Sequence, residues 1–105
     1  MVGHFRRVIE ERAFPFAVHF GPIASGDEDI IDRGRAAELR AQTAALCVAW
    51  EGSGGARAAA FNKLPFVEIR GITDGADADA ASSFRENLRV AMPNISQLLV
   101  SWAAA

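Results

Sequence analysis

Val2, Phe5, Val8 and Ile9 return every three or four positions among Arg6, Arg7, Glu10, Glu11 and Arg12. That spacing winds the apolar side chains onto one side of a helix. The pattern predicts a helix over the first dozen residues, ended by Pro15, which has no N–H to continue it. The run from Phe16 to Ala24 is largely apolar, rich in strand-favouring residues and bounded by Pro15 and Ser25-Gly26-Asp27. It reads as a buried strand, with Gly26 marking the turn. Asp32 then stands at a helix N-cap position, predicting a helix through Gln42 whose apolar side holds Ala36, Ala37, Leu39 and Ala44. Gly34 weakens that helix by about 1 kcal/mol.

Leu46-Cys47-Val48-Ala49-Trp50 is wholly apolar and reads as a second strand, Gly55 to Asn62 as an alanine-rich helix, and Pro65 to Arg70 as a third strand. Strand, helix and strand make a β-α-β unit, whose crossover is long enough for a parallel pair and right-handed by rule. The ends of both strands, and with them Glu51 and the stretch from Gly71 to Asp77, fall on one carboxyl edge. In open α/β sheets that edge is where ligands bind. Asp74 to Ala80 reads as a polar loop and Ser83 to Trp102 as a last helix. Its apolar side carries Leu88, Met92, Ile95, Leu98, Leu99 and Trp102, and Pro93 is expected to kink or split it. No repeat, linker or second domain interrupts residues 1–105, so the chain reads as a single α/β domain.

Composition narrows the function classes. Half of the 105 residues are hydrophobic and 23% are charged, a balance that excludes a disordered chain or a fibrous repeat. The net charge of −2 argues against nucleic acid as a partner, because counterion release needs a clustered basic face. No apolar run approaches the ~20 residues that cross a bilayer, and Met1 to Arg7 lacks a signal-type core. A cytoplasmic protein with no membrane partner is therefore expected. Cys47 is the only cysteine, so no disulfide within the chain supports the fold. A short, alanine-rich chain buries a small share of its surface, which predicts a homodimer or higher homo-oligomer.

Several groups of residues could carry chemistry. Gly52-Ser53-Gly54-Gly55, between a strand and a helix, could let backbone N–H groups approach a phosphate. As a dinucleotide fingerprint it is incomplete: Arg57 takes the third glycine position, and although Glu68 lies where a ribose-binding acid would sit, the other strands of such a domain are missing. The same glycines fit a tight turn that packs a helix closely on a sheet. Glu51 and Asp74 each follow a strand, and two carboxylates at one crevice can divide glycosidic cleavage between a proton donor and a sugar-holding group. They equally fit a carboxylate favoured by a helix dipole and a loop side chain bonding its own backbone. Trp50 suits either a base or sugar pocket or the core.

The remaining polar residues predict no metal site. His4 and His19 have no ligand partners at zinc spacing, and Asp27, Glu28, Asp29 and Asp32 lack the alternation of a calcium loop. Cys47, mid-strand and without a basic neighbour, is expected to be inert.

Three segments in order carry a family resemblance: Gly21-Pro22-Ile23-Ala24-Ser25-Gly26-Asp27, Cys47-Val48-Ala49-Trp50-Glu51-Gly52, and Pro65 to Asp77, which contains Glu68-Ile69-Arg70-Gly71-Ile72-Thr73-Asp74. Together they resemble the superfamily of purine nucleoside and uridine phosphorylases, above all its methylthioadenosine/S-adenosylhomocysteine nucleosidase branch, from about residue 14 to 102. The resemblance implies the carboxyl-terminal half of a three-layer α/β fold, a mostly parallel sheet with flanking helices, that cleaves the N-ribosidic bond of nucleosides. It makes Asp74 the acid at N7 of the leaving purine, Glu51 the binder of ribose hydroxyls, and Trp50 a sugar contact where methionine is usual. Ile30 becomes a residue whose backbone meets the purine. Ala49 stands at a substrate-facing position where the nucleosidases commonly have a second glutamate, and Asp29 where a base-stacking residue is common.

The ligand implied is a small nucleoside or purine base, with no cofactor and with phosphate as co-substrate only in a phosphorylase. The acid that activates water in the nucleosidases belongs to the part of the family fold with no match here. The resemblance therefore leaves two readings, an enzyme of nucleoside metabolism, impaired by that absence, or a non-catalytic purine-binding or dimerising remnant.

Overall fold

Phe5 stacks on Trp102, ring centroids 5.2 Å apart and planes 9° from parallel. This contact fastens the first helix, α1 (Val2–Glu11), to the last, α4 (Ala80–Ala104). The computed structural model describes residues Met1–Ala105. Along α1 the 3.6-residue period turns Phe5 and Val8 inward, and both are buried, as are Ala91, Leu98 and Ser101 on α4. His4 meets the edge of the Trp102 ring at 6.0 Å. The core therefore sits between the two helices, and only eight of 105 residues are buried, which leaves much apolar surface at the rim.

Between those helices in chain order comes a parallel pair of strands, β1 (Ile23–Ser25) and β2 (Cys47–Ala49), with Ile23 opposite Cys47 and Ser25 opposite Ala49. The helix α2 (Arg33–Thr43) forms the crossover, so the β-α-β unit begins two elements earlier in the chain than the pattern of residues 46–70 suggests. Asp32 caps α2 as expected, its carboxylate accepting from Arg35 N at 2.9 Å. Ala44, at φ 57°, ends the helix in the left-handed region and sends the chain into β2.

The strand expected over Phe16–Ala24 is shorter. Pro22 has no N–H to give to a ladder, and regular pairing begins only at Ile23, preceded by a single bond from Leu46 N to Pro22 O at 2.9 Å. The aromatic part of the run packs elsewhere: Phe14 lies against Phe16, and Phe20 lies under the guanidinium of Arg6 on α1, 4.3 Å from its ring centroid.

The alanine-rich helix α3 spans Gly52–Phe61 and so starts three residues before its expected Gly55. The segment Pro65–Arg70 carries no strand assignment. Its side chains still alternate as in a strand: Phe66 and Glu68 face Gly55 and Gly52 of α3, whereas Gly71 faces Ala91 and Ile95 of α4. A strand is defined by its neighbour, and no backbone group from Pro65 to Ala76 bonds to another backbone group. The last helix begins three residues before its expected Ser83 and runs unbroken through Pro93. Pro93 and Arg89, whose carbonyl loses its partner, are both exposed, so water can take that acceptor. Helices on either side of extended chain, with a parallel pair beside them, make an α/β architecture.

Candidate functional site

Ser25, at the end of β1, joins three elements. Its hydroxyl donates to Trp50 O at 3.1 Å and accepts from Ser53 N at 3.0 Å, tying β1 to the end of β2 and to the first turn of α3. Trp50 is more than half exposed, at 56%, but it is not loose: its indole Nε1 donates to Glu28 O at 3.1 Å. That bond fixes the loop after β1 beside the ring, and Asp27, Asp29 and Trp50 line an open cavity of about 350 Å³. Ile30, buried, anchors the same loop. Beyond it, Ile31, Asp32 and Arg33 meet the Asp77–Asp79 stretch around a second hollow of about 300 Å³, where Arg33 lies 3.9 Å from Asp77. The loop after β1 thus borders Trp50 on one flank and the Asp74 loop on the other.

Glu51 follows β2 and occupies the N-cap position of α3 without capping it by its side chain. Its carboxylate, 70% exposed, pairs with Arg70 Nη2, while Arg70 Nε donates to Glu68. The hydrogen bond from Arg70 is the main reason the Glu51 carboxyl lies below the usual carboxylate range. Asp74 is half-buried and held locally: Oδ2 accepts from Thr73 Oγ1 and Oδ1 from Ala76 N, both at 2.9 Å. Asn87 Nδ2 donates to Thr73 O at 2.8 Å and so fastens this loop to α4. Ala49 closes β2 opposite Ser25, with its carbonyl accepting from Gly26 N at 3.1 Å.

Glu51 and Asp74 share no hydrogen bond. They are linked through the backbone, since Arg70, the partner of Glu51, lies four residues before Asp74. Trp50, Glu51 and Ala49 are adjacent at the end of β2, and Ile30 belongs to the loop that Trp50 holds. The residues that sequence reasoning missed are Ser25 and Arg70. Arg70 was signalled by its alternation with Glu68, which puts both side chains on the face toward α3.

The glycine run behaves as a helix start rather than as a phosphate loop. Gly54 N and Gly55 N bond to Glu51 O at 3.1 and 3.5 Å, and Ser53 N is taken by Ser25, so three of the amides an anion would need are engaged. Close packing is what the glycines provide: a Cβ on Gly52 would run into the Glu68 carboxylate, and one on Gly55 would lie 3.0 Å from the Phe66 ring. Glu68 itself is paired with Arg70. Cys47, half-buried in β2, has its thiol pushed up by burial and by the nearby Glu68 charge.

The profile of the phosphorylase superfamily matches residues 3–104, almost the full length. The chain belongs to the phosphorylase superfamily. Among solved structures of similar shape is the S-adenosylhomocysteine nucleosidase from Streptococcus pyogenes in complex with 5-methylthiotubericidin, with a TM-score of 0.83 and 26% sequence identity. The match covers 97% of this chain and 43% of that one, so this superfamily member spans less than half the length of the nucleosidase. A search among curated proteins finds no match.

Proposed function

We propose that this superfamily member forms the base- and ribose-facing side of a site that cleaves the N-ribosidic bond of a purine nucleoside. The observation that carries this reading is the likeness of nearly the whole chain to a nucleosidase whose structure holds a nucleoside analogue. In this reading Asp74 supplies a proton to N7 of the purine as the C1′–N9 bond breaks and its electrons pass into the base. Water or phosphate then takes the anomeric carbon. Glu51 accepts hydrogen bonds from the ribose hydroxyls, bonds that strengthen as positive charge grows on the sugar. Arg70 pairs with the Glu51 carboxyl and holds it below its ordinary range. Trp50 covers the sugar, the Ile30 backbone meets the purine, and Ala49 faces the substrate at the position where the nucleosidases carry a second glutamate. No cofactor is required, the protein is cytoplasmic, and it works as a homo-oligomer.

The test is release of free base from methylthioadenosine, inosine and adenosine, with and without phosphate, against an Asp74→Asn control. Release without phosphate identifies a nucleosidase, and release that needs phosphate identifies a phosphorylase. No release above the control overturns the enzymatic reading. The 43% coverage favours one alternative, a purine-binding module without turnover, which requires adenine to bind in that same experiment although no base is released.

A further inference from the structure

Ser25 does for α3 what the helix's own N-cap residue does not. The amides that open a helix lack intrahelical partners, and the capping residue normally satisfies one of them, accepting from the second or third through a short oxygen-bearing side chain. Glu51 holds that place with helical rather than extended backbone, φ −99° and ψ −19°, and its side chain makes no such bond. The bond comes from another element: the second amide of α3, Ser53 N, donates to Ser25 Oγ at 3.0 Å across 28 positions of sequence.

The proton of the same hydroxyl is also placed. Trp50 O lies just past the last pair of the two-stranded ladder, Ser25 with Ala49, and receives no backbone N–H. Ser25 Oγ donates to it at 3.1 Å. With its proton on Trp50 O, the hydroxyl keeps lone pairs for Ser53 N, so the two bonds hold together. They fix the backbone just before and just after Glu51.

This arrangement leaves the Glu51 carboxylate free of its own helix. A carboxylate at a helix start is drawn to the open amides there. In α3, Ser53 N is taken by Ser25, and Gly54 N and Gly55 N are taken by Glu51 O. The carboxylate turns to Arg70 instead. Removing the Ser25 hydroxyl would release Ser53 N to compete with Arg70 for it.

We propose that Ser25 is a positioning residue of the candidate site, capping α3 in place of Glu51 so that the Glu51 carboxylate stays available to ribose hydroxyls. The proposal rests on the reading of Glu51 as the ribose-binding group and extends it to a residue that acts only through that group.

The experiment is calorimetric binding of methylthioadenosine and of adenine to the full chain and its variants. Ser25→Ala is expected to weaken methylthioadenosine binding about tenfold, the worth of a hydrogen bond to a charged group, and to leave adenine affinity within about twofold. In a Glu51→Ala background the same Ser25→Ala change is expected to alter methylthioadenosine affinity by less than about twofold, because the two residues act as one unit. Equal losses for methylthioadenosine and adenine, no loss for either, or a full loss repeated in the Glu51→Ala background overturns the proposal and leaves the nucleoside reading standing. An unmutated chain that binds neither compound overturns the nucleoside reading, and the proposal with it. Hydrogen exchange in the unmutated chain supplies a measurement that does not depend on how well Ser25→Ala folds. The Ser53 amide is expected to be protected at least about tenfold more than the Gly52 amide, which opens the helix without a partner. Equal protection of the two overturns the proposal.

Discussion

Glu51 and Arg70, nineteen residues apart, form an ion pair that bridges the start of α3 to the segment leading into Asp74. Sequence reading marks out the two acids as partners. The structure places a cation beside one of them and lets the backbone connect it to the other.

The first expectation concerns pH. Glu51 is held below the usual carboxylate range by Arg70, so its stabilising contribution is fully present above the unfolded carboxylate value and is lost as pH falls through the depressed one. In Arg70→Met that contribution is gone. Its melting temperature should fall less steeply than the parent's between about pH 5 and pH 3, as measured by circular dichroism. Some acid dependence should survive, because Glu28 is held down in the same way by Arg35. Identical slopes in parent and variant would mean that the pair contributes nothing in solution.

A second expectation separates chemistry from folding at Asp74. Asp74→Asn keeps an oxygen to accept from Ala76 N, so the loop and the melting temperature should be preserved. An amide cannot deliver the proton, and base release should fall by about 10²–10⁴-fold. Asn87→Ala removes the bond to Thr73 O and leaves the acid in place. It should slow release less than Asp74→Asn does, while the helical signal stays unchanged.

Two glycines on one helix should respond in opposite directions. Gly52→Ala drives a methyl group into the Glu68 carboxylate, the movable end of a side chain that can swing aside by giving up its Arg70 partner, and should destabilise by about 1 kcal/mol or less in urea unfolding. Gly54→Ala meets nothing within 4 Å and, by reducing the freedom of the unfolded chain, should stabilise by about 0.4–1 kcal/mol. Equal effects would mean that α3 does not lie against residue 68.

The small core should be concentrated at one contact. Phe5→Ala removes the ring stacked on Trp102 and should cost about 3–5 kcal/mol, enough to unfold much of the population at 25 °C. An exposed aromatic such as Phe61 offers the control, since Phe61→Ala should shift the urea midpoint little.

The helices were legible in the sequence because their signals are local. The spacing of Phe5 and Val8 and the cap at Asp32 both operate within one or two turns. Strands depend on a partner elsewhere in the chain, and here legibility fell away. Pro65–Arg70 has the alternation of a strand and Ile23–Ser25 is barely long enough to be one, yet only the second finds a neighbour, β2. The residue pattern accordingly places the β-α-β unit two elements too late. At the candidate site, Trp50, Glu51 and Asp74 stood out through their positions at strand ends. Ser25 and Arg70 did not, because their roles arise from contacts with residues 19 to 28 positions away. Pro93 shows the reverse case, in which a strong local helix-breaking signal is outweighed by the packing of Ala91 and Leu98 on either side.

Cys47 gives the two-stranded sheet a reporter of its own. With the thiol held protonated by its surroundings, alkylation at neutral pH should be slow while β1 and β2 stay together and fast once they part. The labelling rate therefore measures how often the sheet opens, and a nucleoside that docks against Trp50 and Glu51 should slow it without touching the sulfur.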